Sequence, residues 1–209
     1  MNIFNLLFQY VLQTTIKYDI DESHGLSHSM NVLHNAQSIR NSLNPIYYPY
    51  LKDQDHIIYT SAVLHDMCDK KYMDVDEGIQ NIENVISTSF DSNQIDTIKK
   101  IMNTMSYSKV KLNGFPDMGE FQMAYHIVRE ADLLAAYDFD RCMVYDMYKK
   151  GSNVDEAYEH AKNLFYNRVF KHYSDGLLIT DYSQTQHFIL KPLVHQRMRS
   201  WNQILKYNK

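Results

Sequence analysis

Turn-forming residues are scarce in this chain. Six glycines and four prolines in 209 residues are too few for the many turns an all-β protein requires. Cysteine is scarcer still: Cys68 and Cys142 make no disulfide framework and read as free thiols of a reducing compartment. No stretch approaches the roughly 20 apolar residues of a membrane span. The start, Met1-Asn2-Ile3-Phe4-Asn5-Leu6-Leu7-Phe8, lacks the basic region and small-residue cleavage site of an export leader. A cytoplasmic chain is expected. Basic excess is missing too, since 21 Lys and Arg against 25 Asp and Glu give a net charge of −4. That leaves no expectation of sequence-specific nucleic-acid binding or membrane attachment. A nucleotide needs only a local cationic pocket and stays open.

What the chain does carry is helical periodicity over nearly its whole length. Its 44% hydrophobic and 22% charged residues are the balance of an ordinary soluble globule. Apolar residues return every three or four positions, and strict alternation is scarce. A first helix is read over 2–17, with Ile3, Leu6, Leu7, Tyr10 and Val11 inward, and a polar connection holding Gly25 follows. The second covers 28–43 on Val32, Ala36, Ile39 and Leu43. Pro45 and Pro49 break the chain, and a third helix spans 52–67 on Ile58, Ala62 and His65. Further helices are read over 75–88 and 92–105. Asn113-Gly114 and Pro116 mark a turn. Beyond it, 118–149 reads as one long or broken helix ending at Gly151, and helices over 153–173 and 184–206 finish the chain. The expected fold is all-α, a single domain over 1–209 with about eight helices.

Three of these helices carry polar groups on faces that should be dry. His28 lies on the side of Val32 and Ala36. His65 continues the stripe of Ile58 and Ala62, and Asp66 follows it. Asp132 extends the stripe Phe121, Tyr125, Val128. A carboxylate on a buried stripe is costly unless it is paired or holds a metal. Singly, each has an ordinary explanation: a satisfied core histidine, a chance His-Asp pair, an Asp132 paired with Arg129. Jointly, two imidazoles and two carboxylates from three helices offset one another by binding one divalent cation, as in sites built inside helix bundles. Such a mixed nitrogen and oxygen set suits Mn²⁺, Fe²⁺, Co²⁺, Ni²⁺ or Zn²⁺, and Mg²⁺ less. One divalent ion is the expected cofactor, manganese ahead of Fe, Co, Ni, Zn or Mg. His24 and His28 do not make a metalloprotease helix, because Gly25 stands where that motif needs Glu.

The ordered set His…His-Asp…Asp resembles the HD-domain superfamily of metal-dependent phosphohydrolases. The likeness runs over about 23–138, through His24-Gly25-Leu26-Ser27-His28, Ala62-Val63-Leu64-His65-Asp66 and Glu130-Ala131-Asp132-Leu133-Leu134-Ala135-Ala136. Helices over 153–206 would pack on that core. The resemblance implies His28, His65, Asp66 and Asp132 as metal ligands, with Asp66 and Asp69 catalytic and Asp69 near the attacking water. Lys71, with Lys70 and His24, is implied for the substrate phosphate, although 69–71 would also suit a solvated helix end. The implied reaction is hydrolysis of a phosphomonoester or pyrophosphate bond in a small phosphorylated substrate, a nucleotide. A phosphodiesterase of cyclic or short oligonucleotides and a degenerate metal-binding module are the alternatives. Two positions depart from the pattern: Met105 stands where small relatives carry His, and Leu133 where they carry Arg. His126 is off the Asp132 face, so one ion is expected rather than two. Cys68 reads as a buried thiol. A homodimer is left open.

Overall fold

Apolar stripes and side-chain caps divide the chain into ten α-helices, seen in a computed structural model that describes residues 2–207. They are α1 (Ile3–Lys17), α2 (Leu26–Ser42), α3 (Leu51–Leu64), α4 (Val75–Ile86), α5 (Ser92–Thr104), α6 (Tyr107–Asn113), α7 (Gln122–Ala135), α8 (Phe139–Lys150), α9 (Val154–Asn167) and α10 (Asp181–Lys206). No strand occurs among the described residues. Asp74, Asp138 and Thr180 cap α4, α8 and α10 by accepting backbone N–H groups, and Asp91 with Gln94 and Asn153 with Glu156 form full capping boxes on α5 and α9. Each satisfies donors that a helix start leaves orphaned.

The fold is all-α, as the periodicity predicts, with ten helices rather than about eight. Two readings account for the difference. The turn cluster around Asn113 contains a short helix, α6, which ends at Gly114 in a positive-φ conformation that glycine adopts freely. The stretch 118–149 is two helices, because the backbone leaves the helix at Asp138, whose side chain accepts Arg141 N–H at 3.1 Å to start α8. The third helix also stops early, at Leu64, so His65 to Cys68 form a turn.

Helices α2, α3 and α7 pack against one another, and Val32, Ala36, Ile39, Ile58, Ala62, Tyr125, Val128 and Ala131 are fully buried between them. Asn35 of α2 donates to the Ala131 carbonyl of α7 at 3.1 Å, one residue before Asp132. A second apolar cluster, with Phe139, Met143, Ala161, Phe165, Val194 and Met198, joins α8, α9 and α10. Leu190 packs against both clusters.

The turn after α3 is held by a close approach of α4. A Cβ at Gly78 would lie 2.8 Å from Cys68 Cβ and 2.9 Å from Cys68 Cα. Backbone cannot yield as a flexible side chain does, so Gly78→Ala should cost about 1–3 kcal/mol. A lowered urea midpoint with unchanged slope is the expected reading.

Buried histidines give the fold an acid-side weakness. His172 is 0% exposed, and neither ring nitrogen has a hydrogen-bond partner. Burial, with the Arg168 charge beside it, pushes it down to about 3, and burial pushes His126 down to about 4. Their folded values lie below the ordinary ~6.5 of the unfolded chain. Their contribution is therefore complete above pH 6.5 and lost as pH falls toward 4, at about 1.4 kcal/mol per unit for each histidine. His172→Phe should flatten part of that slope in urea melts between pH 7 and 5.

Candidate metal centre

His28 sits in the first turns of α2, His65 and Asp66 in the turn that ends α3, and Asp132 near the end of α7. The mutual packing of these three helices brings the four side chains to one point. His28 Nε2 lies 3.1 Å from His65 Nε2. Asp66 Oδ2 lies 3.3 Å from His28 Nε2 and 3.2 Å from His65 Nε2. Asp132 Oδ1 lies 3.4 and 3.6 Å from the same two nitrogens. His28, His65 and Asp132 form the tight trio, with donor atoms all within 4.8 Å of one another, and could hold a metal ion. Asp66 stands outside that trio, with Oδ2 against both imidazoles. The separations within the trio, 3.1–3.6 Å, match donors around one ion bonded at about 2.0–2.2 Å.

The surroundings of the donors fit a cation. Asp66 Oδ2 is buried and has no hydrogen-bond partner, so its lone pairs are uncommitted. His65 Nδ1 stands 2.9 Å from the Ala62 carbonyl; a carbonyl only accepts, so Nδ1 carries a proton and the neutral ring would offer its lone pair at Nε2. Burial would raise both carboxyls, but the His65 charge for Asp66, and a hydrogen bond from His28 for Asp132, hold them below the ordinary value. Burial would likewise lower His65, yet Asp66 and Asp132 push it up to about 9. Two carboxylates that draw a proton onto a buried imidazole would stabilise a cation at the same place. His28 has a competing neighbour. Arg141 Nη1 lies 2.8 Å from its Nδ1, and a guanidinium only donates, so a neutral His28 keeps its proton on Nε2. Ligation through Nε2 requires that proton to leave.

His28, Asp66 and Asp132 line a cavity of about 660 Å³, with His65 set against His28, and the lining also includes His24, Asp69, Lys71, Tyr107, Arg141, Tyr145 and Arg168. That size suits a small organic ligand. Asp69 reaches the cavity from the turn after α3, not from a continuing helix face. It accepts Lys71 N–H at 2.9 Å and the Lys71 ammonium at 3.0 Å. Lys70, expected beside Lys71, is exposed and is not among the lining residues, whereas Lys71 is.

His24 is held by a network that the sequence reading missed. Asp21 accepts hydrogen bonds from the Ser23 hydroxyl and, at 2.6 Å, from Tyr72. With both hydroxyl protons spent on Asp21, His24 Nδ1 donates to Ser23 Oγ at 2.6 Å and lies 3.1 Å from the Tyr72 hydroxyl. Its Nε2 lone pair is left facing Lys71 Nζ, 3.4 Å away. Burial pushes His24 down to about 4 despite the nearby Asp66 charge, so its ring is neutral at pH 7.

Other expectations sort as follows. Arg129 pairs with Glu130 at 3.2 Å, not with Asp132. Met105 and Cys68 are buried in the core. Leu133 is 3% exposed and lines the cavity as an apolar wall. Guanidinium groups enter instead from Arg141 and Arg168, neither of which stood out in the sequence. Arg141 had one available signal, the Asp138 cap three residues before it; Arg168 had none.

The fold and this cluster define an all-helical protein with a candidate His–Asp metal centre. No protein-family model and no curated protein matches the chain. Its fold is similar to that of a crystallised structural-genomics target protein from Lactobacillus plantarum, with a TM-score of 0.69 over 99% of this chain and 98% of that one, at 18% identity. At that identity the likeness concerns the fold. Among the described residues, no helix is long and apolar enough to cross a membrane.

Proposed function

We propose that this chain is a metal-dependent phosphohydrolase of the HD-domain type, cleaving a phosphomonoester or pyrophosphate bond of a nucleotide with manganese as its ion. The observation that carries the reading is the meeting of His28, His65 and Asp132, with Asp66 against both imidazoles, beside a cavity lined by His28, Asp66, Asp132 and Lys71. His28, His65, Asp66 and Asp132 would hold the ion. When bound, it would acidify a water and polarise a phosphoryl oxygen.

The remaining work falls to side chains of the cavity. Lys71 presents its ammonium to charge that grows on the phosphoryl group. Asp69 keeps that ammonium in place and orients the attacking water, acting on its proton. His24, neutral and with Nε2 toward the cavity, accepts a hydrogen bond from Lys71 and limits its swing. The buried wall of Leu133 keeps bulk water from one side of the centre.

A nucleotide panel with Mn²⁺, scored separately for phosphate, pyrophosphate and nucleoside, tests the reading. Mn²⁺-dependent release from at least one nucleotide is expected, abolished by chelator and restored by added metal. Tight metal binding with no turnover of any mono-, di-, tri- or cyclic nucleotide would overturn it in favour of a metal-binding module.

A further inference from the structure

Charge in the cavity does not balance once its ion pairs are matched. Lys71 is paired with Asp69, and Lys150 with Asp146. Asp66 and Asp132 face the two histidines. Two lining cations, Arg141 and Arg168, have no carboxylate partner among the described residues. Arg141 spends Nη1 on the Ser23 carbonyl at 2.9 Å and on His28, while its Nε is buried without a hydrogen-bond partner. Arg168 makes no side-chain hydrogen bond among the described residues, and its guanidinium lies 4.2 Å from the centre of the Tyr107 ring. An aromatic face orients a guanidinium plane but does not neutralise it. A divalent ion would already offset Asp66 and Asp132, so the two arginines leave about two positive charges facing the cavity.

We infer that Arg141 and Arg168 form a subsite for a second phosphoryl group, so that the substrate is an oligophosphate with at least two linked phosphates and not a monoester. This rests on the reading of the His–Asp centre as the place of the first phosphoryl group. Guanidinium is suited to the task, because its planar fork gives two parallel hydrogen bonds to phosphate oxygens. The free nitrogens of Arg168 can make both, and Arg141 adds charge from the opposite chain segment at the start of α8. The departure at Leu133 then removes no arginine from the cavity; the positive charge enters from the end of α9 and the start of α8.

Calorimetric titration tests this without turnover. The probes are methylenediphosphonate and methylphosphonate, each equilibrated with the same free Mn²⁺ and added to Mn²⁺-loaded full-length protein. Wild type should bind the diphosphonate at least about tenfold more tightly, since each charge-assisted contact is worth about that factor. Arg168→Gln should erase the preference, leaving metal content and methylphosphonate affinity unchanged. Arg168→Lys, which keeps the charge but loses the fork, should fall between. Arg141→Gln should also reduce the preference, with circular dichroism confirming the fold. Equal affinity for the two probes in wild type, no binding of either, or an undiminished preference in Arg168→Gln overturns the inference. Diphosphonate selectivity without hydrolysis of any nucleotide would keep the subsite and remove the hydrolase reading; monoester turnover without selectivity would do the reverse.

Discussion

Asp66→Ala should lose divalent-ion binding and, with it, the hydrolysis proposed above. Asp66 Oδ2 has no hydrogen-bond partner and lies 3.2 and 3.3 Å from the two histidine nitrogens. Removing it halves the negative charge available to a cation and leaves the apolar packing of α2, α3 and α7 intact. Folding should therefore persist while metal content drops to background. Asp69→Asn should behave differently. Asp69 pairs with Lys71, whereas Asp66 lies against both histidines, so the Asp69 variant should keep the ion and lower kcat by about 10²–10⁴-fold, the usual weight of a positioned acid–base group. Metal analysis and steady-state kinetics on the same preparations separate the two. Full metal occupancy in Asp66→Ala would remove it from the ligand set. Wild-type rates in Asp69→Asn would make residues 69–71 a solvated turn and nothing more.

The clustered trio was legible because each member violates a local pattern. His28, His65 and Asp132 occupy positions where the stripe around them is apolar, and burial of polar groups demands a reason that sequence can register. The helices were legible for the same cause, since an inward stripe at helical spacing is written into the chain whatever its partners are. The sequence leaves a break within 118–149 open, but its place at Asp138 was not legible. Ala135, Tyr137 and Phe139 are all buried, so the apolar pattern runs straight across it, and only the Asp138 cap, one polar residue among many, distinguishes two helices from one. That break turns α8 so that Arg141 meets His28. Arg141 and Arg168 are ordinary charged residues on helix ends in sequence, and their value comes from tertiary placement alone. Lys70 shows the converse, because adjacency to Lys71 in sequence gave it a role that the turn geometry withholds.

Glu130 lies within the stretch that drew attention to Asp132, yet its task is structural, and its loss should produce the largest fall in stability. It is 0% exposed and accepts four hydrogen bonds: from Ile179 N–H at 2.7 Å, from Thr180 N–H at 3.2 Å, from the Thr180 hydroxyl at 2.7 Å, and from Arg129 at 3.2 Å. Thr180 caps α10, so this one carboxylate fastens the start of the last helix to α7. Glu130→Gln keeps the volume but replaces one acceptor oxygen with an NH₂ that confronts donors. It also leaves the Arg129 charge, 1% exposed, without an anion. Breaking a buried pair from one side costs about 3–5 kcal/mol, and at about 2–4 °C per kcal/mol for a chain of this size the melting temperature should fall by roughly 6–20 °C. Arg129→Met should cost less. Arg129 Nε and Nη1 already lack partners, and its removal leaves Glu130 with three of its four donors, whereas Glu130→Gln turns one of two oxygens that each take two donors into an NH₂ and also strands the Arg129 charge. Thermal and urea melts of the two variants read this asymmetry directly. Equal losses would mean that the Arg129 pair, not the anchoring of residues 179 and 180, is what Glu130 contributes.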